Sequence, residues 1–307
     1  MNLTRRFVFR GNAAALGGHI YRPKDFAIQV NGASSLPVTG GVSHADIKGQ
    51  AFGDSLKFSS ATTHAEGIFD DPAKVIEMIK RRIPEDRLTT TTTVAAEVHD
   101  LYVGKKPQIF VKRLTAKLVG HSPKASGEPP IALAKDTGVE GGTIDGFPYA
   151  VTLNLTAFTT YPTRSGLVAA MDTTAFLEAH GASFFISSAS AAGGAGYGIG
   201  SLIEGRGMIY ATIVKEIRWT KDKHPTATID HHTIRVPGFG QIFFGEIFIT
   251  DVSRRLTMMR LQLGSPDSGT GASAEDGPAP PPAGSTDGGM VACAEVETNG
   301  SWYPPFA

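Results

Sequence analysis

The sequence predicts a mainly β protein, built as two related antiparallel β-barrels or sandwiches with one or two short helices. Three observations carry that expectation. Most apolar segments are rich in β-branched and aromatic residues and are bounded by Gly, Pro or Asp. Glycine is abundant, at 36 of 307 residues, which suits a chain with many turns. Helix signals are few.

The elements follow in order. Arg6, Phe7, Val8, Phe9 and Arg10 alternate in polarity and suit a first strand. Further strands are expected over Thr91–Val103, Gln108–Val119, Tyr149–Phe158, Met208–Trp219, Gln241–Thr250 and Arg255–Leu263. In Tyr149–Leu155 the odd positions Tyr149, Val151, Leu153 and Leu155 share one face, while Thr152 and Asn154 look out. Ile242–Ile249 is apolar on both faces and reads as a central strand covered on both sides.

The clearest helix signal begins at Asp71-Pro72, an N-cap followed by a favoured first-turn proline. Val75, Ile76 and Ile79 supply a stripe, and Lys80, Arg81 and Arg82 favour its negative end. A second short helix is expected over Thr173–His180, capped by Asp172 and closed by Gly181.

Paired features about 90–100 residues apart suggest an internal duplication. Glu66–Asp71 parallels Ser165–Asp172, Leu114–Pro123 parallels Ile217–Pro225, and Asp145-Gly146-Phe147 parallels Pro237-Gly238-Phe239. On this basis residues 1–140 form an N-terminal β-rich half and 141–264 a C-terminal one. Residues 265–289 are nearly all Ser, Gly, Asp, Ala and Pro and read as a low-complexity linker. Residues 290–307 form an apolar strand and an aromatic tail, with Trp302, Tyr303 and Phe306. That much apolar surface needs a partner, and the long linker favours docking on a second copy, so a homo-oligomer is expected.

Charge limits the partners. Lys+Arg and Asp+Glu both number 29, so the net charge is zero. A phosphate-binding protein needs a basic surplus, which argues against nucleic acid. The longest mostly apolar run, Ile242–Ile249, is far shorter than the ~20 residues of a membrane helix, so no membrane association is expected. Cys293 is the single cysteine, so no intrachain disulfide forms and a reducing, cytoplasmic location fits.

Two short patterns resemble export or anchoring signals. Ser35–Gly41 reads SLPVTGG and contains LPVTG, which resembles a sortase sorting signal. A polar segment follows it, so a loop is expected, with Pro37 setting φ and Gly40-Gly41 permitting positive φ. Thr4–Phe9 resembles a twin-arginine signal, but the next segment lacks the uninterrupted apolar stretch such a signal requires.

Candidate chemistry concentrates at His224, Asp230, His231, His232 and Glu246. Histidine and carboxylate together suit zinc or iron. The strand phase slips between Ile229 and Ile234, which predicts a bulge or turn at Asp230–Thr233. Adjacent histidines on a strand point to opposite faces, so a shared metal would need that bulge. Glu246 lies in the most apolar strand, and Arg260 on the expected return strand is within pairing reach. Gly193–Gly200 does not match the dinucleotide spacing and lacks the phosphate-loop Lys-Ser/Thr. His64/Glu66 and His99/Asp100 are further polar pairs without a defined geometry. Two functions stay open: a non-catalytic binding or self-assembling protein with an unidentified small-molecule ligand, or an enzyme with a metal-assisted site around His231 and His232.

Overall fold

The structure is a computed structural model. It describes residues 7–20, 26–53, 55–70, 88–105, 107–123, 136–185, 209–250, 252–264 and 289–302, together with Ala73, Ile76, Glu77 and Lys80. The strands are β1 (Phe7–Val8), β2 (Gly11–Ile20), β3 (Phe26–Ser35), β4 (Gly41–Phe52), β5 (Leu56–Phe69), β6 (Thr89–Val103), β7 (Ile109–Pro123), β8 (Gly138–Ile144) and β9 (Phe147–Leu153). After three short helices come β10 (Phe184–Phe185), β11 (Ile209–Thr212), β12 (Val214–Trp219), β13 (Thr228–Asp230), β14 (Thr233–Val236), β15 (Gly240–Ile249), β16 (Arg254–Leu263), β17 (Gly289–Thr298) and β18 (Ser301–Trp302).

These strands form three antiparallel sheets among the described residues. One runs β10-β11-β15-β16-β17-β2-β3 with the β13–β14 hairpin attached to β15. A second runs β12-β9-β8-β7-β6-β5-β4, and β1 pairs with β18 in a small third. The two large sheets pack face to face: β17 lies over β6 and β7, β2 over β5 and β6, and β16 over β7. Leu16, Met259, Leu261, Val291, Cys293 and Val296 from one sheet share a continuous core with Val94, Val98, Leu114 and Leu118 from the other. The fold is therefore mainly β and sandwich-like.

The boundary placed at 140/141 falls inside β8, and the nine-stranded sheet draws β2 and β3 from one side of it and β10, β11 and β13 to β17 from the other. Of the paired features, Asp145-Gly146 and Pro237-Gly238 both turn hairpins, but Glu66–Phe69 ends a strand while Ser165–Met171 lies in a helix. The linker at 265–288 lies outside the described residues. So does most of the helix expected from Asp71, of which Ala73, Ile76 and Glu77 are helical and exposed.

Three other boundaries differ from the sequence reading. The strand expected over Tyr149–Phe158 stops at Leu153, and Thr156–Thr160 form helix α1, whose first turn is set by the Asn154 side chain accepting from the Thr156 N–H at 2.9 Å. Helix α2 spans Arg164–Met171, with the Thr163 hydroxyl accepting from the Gly166 N–H. Helix α3 spans Thr174–His180, and its cap is Thr173, whose hydroxyl accepts from the Phe176 N–H, rather than Asp172.

The segment expected as one strand over Met208–Trp219 is two strands in two sheets. Ile213 is the crossover residue. Its N–H donates to the Gly245 carbonyl at 2.8 Å, and its own carbonyl accepts from the Asn154 N–H at 2.7 Å. The LPVTG stretch performs another crossover, from β3 to β4. Leu36 is buried, and the Gly40 N–H donates to the Pro37 carbonyl at 2.9 Å. Gly40 and Gly41 hold φ of +84° and +112°, as a turn of this shape requires.

Each sheet also carries a transverse row of kinks. By the registers on either side, Gly245 of β15 faces Met258, which faces Ala294, which faces Ala15, which faces Gly32 of β3. Gly245, Ala294 and Gly32 hold φ of +61°, +51° and +57°. In the other sheet the row runs Gly141, Lys112, Asp100, Ser59 and Gly49, with φ of +63° at Gly141 and +46° at Asp100. A positive φ in a strand reverses the side-chain alternation. In β15, Ile242 and Phe244 point inward before the kink, and Ile247 and Ile249 after it. This slip moves Glu246 off the core face.

The C-terminal strand pairs along both of its edges. β17 sits between β16 and β2 of its own chain, with Val291 and Cys293 fully buried. The Trp302 indole N–H donates to the Ser122 carbonyl at 2.9 Å, and its ring meets Phe7 at 5.1 Å. Tyr303 and Phe306 lie outside the described residues. Among the described residues no helix is long and apolar enough to cross a membrane.

Candidate functional site

The five residues proposed as metal ligands are dispersed. His224 lies in the β12–β13 connection, with Nε2 3.4 Å from Asp145 Oδ2 and Nδ1 accepting from the Thr226 and Ala227 N–H groups. Asp230 pairs with Arg235 at 3.5 Å. His231 is exposed at the hairpin tip with φ +49°, so the expected phase slip is a tight turn. Only His232 and Glu246 come together, with Nε2 3.9 Å from Oε1. Among the described residues no three His, Cys, Asp or Glu side chains converge so as to hold a metal ion.

Glu246 is instead the centre of a buried polar network. Its side chain is 2% exposed, and both carboxylate oxygens are held by Arg260, Nε to Oε2 and Nη2 to Oε1, each at 2.6 Å. The Tyr210 hydroxyl also donates to Oε1. The Arg260 guanidinium lies over the Phe243 ring at 3.8 Å. Burial, the Glu246 charge and its hydrogen bond push the Tyr210 phenol up. Burial pushes the His232 imidazole down to about 4, so at neutral pH it is uncharged. Cys293 is fully buried, and its thiol is pushed up to about 12. These groups are held rather than presented.

The surface that is presented lies on the outward face of the seven-stranded sheet. Strand alternation puts Thr62, His64 and Glu66 of β5, Thr93, Ala95 and Glu97 of β6, and Arg113, Thr115, Lys117 and Val119 of β7 on that face. The register lines them up in rows: Thr62–Glu97–Thr115, His64–Ala95–Lys117 and Glu66–Thr93–Val119. With Asp136 they line a cleft of about 460 Å³ beside the kink row.

The charges in the cleft alternate and pair. Arg113 bonds Glu97 at 2.9 Å and lies 3.6 Å from Glu140. His99 meets Glu97 at 2.5 Å, Lys117 meets Asp136 at 2.8 Å, and His64 lies 3.8 Å from Glu66. Asp100, expected beside His99, accepts from the Ser59 hydroxyl instead. The Thr137 hydroxyl bridges the Lys117 N–H and carbonyl, which ties the Asp136 loop to β7. Partial burial pulls Glu97 up, but the hydrogen bonds and charges of Arg113 and His99 win and hold it below the usual carboxylate range. Its bond to Glu97 raises Arg113, and its bond to Lys117 lowers Asp136.

Sequence reasoning picked out His64, Glu66 and His99 but missed Glu97, Arg113 and Lys117. The available signal was alternation: Thr91, Thr93, Glu97 and His99 share one phase of TTTVAAEVHD, and Arg113, Thr115 and Lys117 share one phase of VKRLTAK. Without the cross-strand register those charges read as an ordinary solvated face.

Comparison with known proteins adds a family. No curated protein and no solved structure shows significant similarity. Residues 7–250, from β1 through the end of β15, match the family described as Domain of unknown function (DUF8256). That span covers most of the 307-residue chain and includes every residue of the cleft, so the chain belongs to this family.

Proposed function

We propose that this protein is a non-catalytic binding protein that takes a small, uncharged, hydroxyl-rich ligand, of the size of a mono- or disaccharide, on the outward face of its seven-stranded sheet. One observation carries the reading. The cleft presents three carboxylates, each set beside a basic side chain: Glu97 with Arg113, Asp136 with Lys117 and Glu66 with His64. Such a surface offers fixed donors and acceptors with little net field. It matches hydroxyl groups, which donate and accept at once, better than an anion or a cation. Its volume is in the range of small-molecule sites.

The enzyme reading is less well served. General acids and bases work best with proton affinities near the operating pH. Glu97, Asp136, Arg113, Tyr210 and His232 are all displaced away from neutrality.

The test is a two-dimensional NMR titration of the full chain with neutral mono- and disaccharides. Saturable shifts confined to amides around Thr62, Glu97, Arg113 and Lys117, lost in Arg113→Ala, support the reading. No shift with any saccharide at tens of millimolar overturns it.

A further inference from the structure

A second cleft lies at the β12 edge of the seven-stranded sheet. It occupies about 530 Å³ and is lined by Ile217, Trp219, Ala227 and Ile229, with Arg218, Lys221 and Lys223 among its other residues. β12 is the outermost strand of its sheet, and β13 pairs only with β14, so the cleft sits between two terminal strands. Ile217 and Ala227 form a buried floor, and Trp219 is half-buried beside them.

The charge here differs from the rest of the molecule. The chain is neutral overall, yet three cations and no carboxylate line this cleft. Arg218, Lys221 and Lys223 are exposed, and none is in an ion pair among the described residues. Of the nearby carboxylates, Asp145 meets His224 at 3.4 Å and Asp230 meets Arg235 at 3.5 Å, while Glu216 and Asp222 are exposed and do not line the cleft.

The loop that carries the two lysines is held in place. His224 is 7% exposed, and its Nδ1 accepts from the Thr226 and Ala227 N–H groups at 3.2 and 2.9 Å. Its ring stacks on Trp219 at 6.1 Å and meets Phe147 edge-on at 5.1 Å. The histidine thus anchors the loop to the indole on one side and to Asp145 on the other. A cationic rim fixed over an aromatic and aliphatic floor needs little reordering on binding.

We infer that this cleft binds a small organic anion with a flat ring system, the ring against Trp219, Ile217 and Ile229 and the anionic group against Arg218, Lys221 and Lys223. The apolar floor supplies the burial and the unpaired cations the charge complement. His224 is a positioning residue. The site is separate from the saccharide cleft, and neither reading depends on the other.

Calorimetric titration of the full chain with 1-naphthyl phosphate tests the inference. Saturable binding is expected, weakened by roughly tenfold or more in the Lys221→Glu/Lys223→Glu variant, whose side chains are exposed. A Lys112→Glu control on β7 should leave it unchanged. 1-Naphthol and inorganic phosphate should each bind at least about tenfold more weakly than the ester, because each supplies one half of the complement. No saturable binding of the ester up to millimolar concentration overturns the inference. So does an unchanged affinity in the double variant, or either fragment binding as tightly as the ester.

Discussion

Arg260 grips Glu246 with two parallel hydrogen bonds, Nε to Oε2 and Nη2 to Oε1, both 2.6 Å long, from the adjacent strand. The carboxylate is 2% exposed and the arginine 21%. Breaking such a pair strands a buried charge. Glu246→Ala should therefore cost roughly 3–5 kcal/mol, while Glu246→Leu combined with Arg260→Met should recover much of the loss. Urea unfolding of the three variants checks this. A cost near zero for the single substitution would mean that water reaches the carboxylate.

His232 makes folding pH-dependent. The imidazole is pushed down by burial, further down by Arg260 and His231, and partly up by Glu246 and Asp230, to about 4 from its ordinary 6.5. Between those two values the unfolded chain binds a proton that the folded chain does not. Stability should thus fall as pH falls through this window, by about 1–2 kcal/mol between pH 7 and 5. Above 6.5 this contribution is flat. Urea midpoints against pH for wild type and His232→Gln should differ in slope over that interval. Equal slopes would place the proton elsewhere.

Gly245 is the end of a kink row, and its carbonyl receives the Ile213 N–H where the chain changes sheets. At φ +61° an added Cβ would sit 2.8 Å from Ile213 Cγ1. Gly245→Ala combines backbone strain with a clash and should cost about 1–3 kcal/mol. A thermal melt within error of wild type would show that the crossover can relax.

The C-terminal strand is structural to its own chain. Removing residues 289–307 takes out β17, which lies between β16 and β2. The truncated chain should fail to show a cooperative melt by circular dichroism. Trp302→Ala should be milder, about 2–3 kcal/mol, from a half-buried ring and its bond to the Ser122 carbonyl. A cooperative melt of the truncated chain near the wild-type temperature would contradict the strand's central place.

The sequence by itself determined the mainly β class, most strand positions from β6 onward, the LPVTG loop, and the burial of Glu246 with an arginine of the next strand in reach. All of these rest on local pattern: alternation, turn residues, and a carboxylate inside an apolar run. The order of strands in the sheets was not local. That β17 pairs with β2 joins the two ends of the chain, and no short-range signal records it. The kinks were hidden for the same reason, because Asp100 and Ala294 hold positive φ without being glycine. The cleft over β5 to β7 depends on the register that brings Glu97 opposite Thr115 and His99 opposite Arg113. The basic cleft depends on two sheet edges meeting around Trp219, with His224 stacked on its ring and beside Asp145. Side-chain type was legible residue by residue; which side chains become neighbours was decided by packing one sheet on the other.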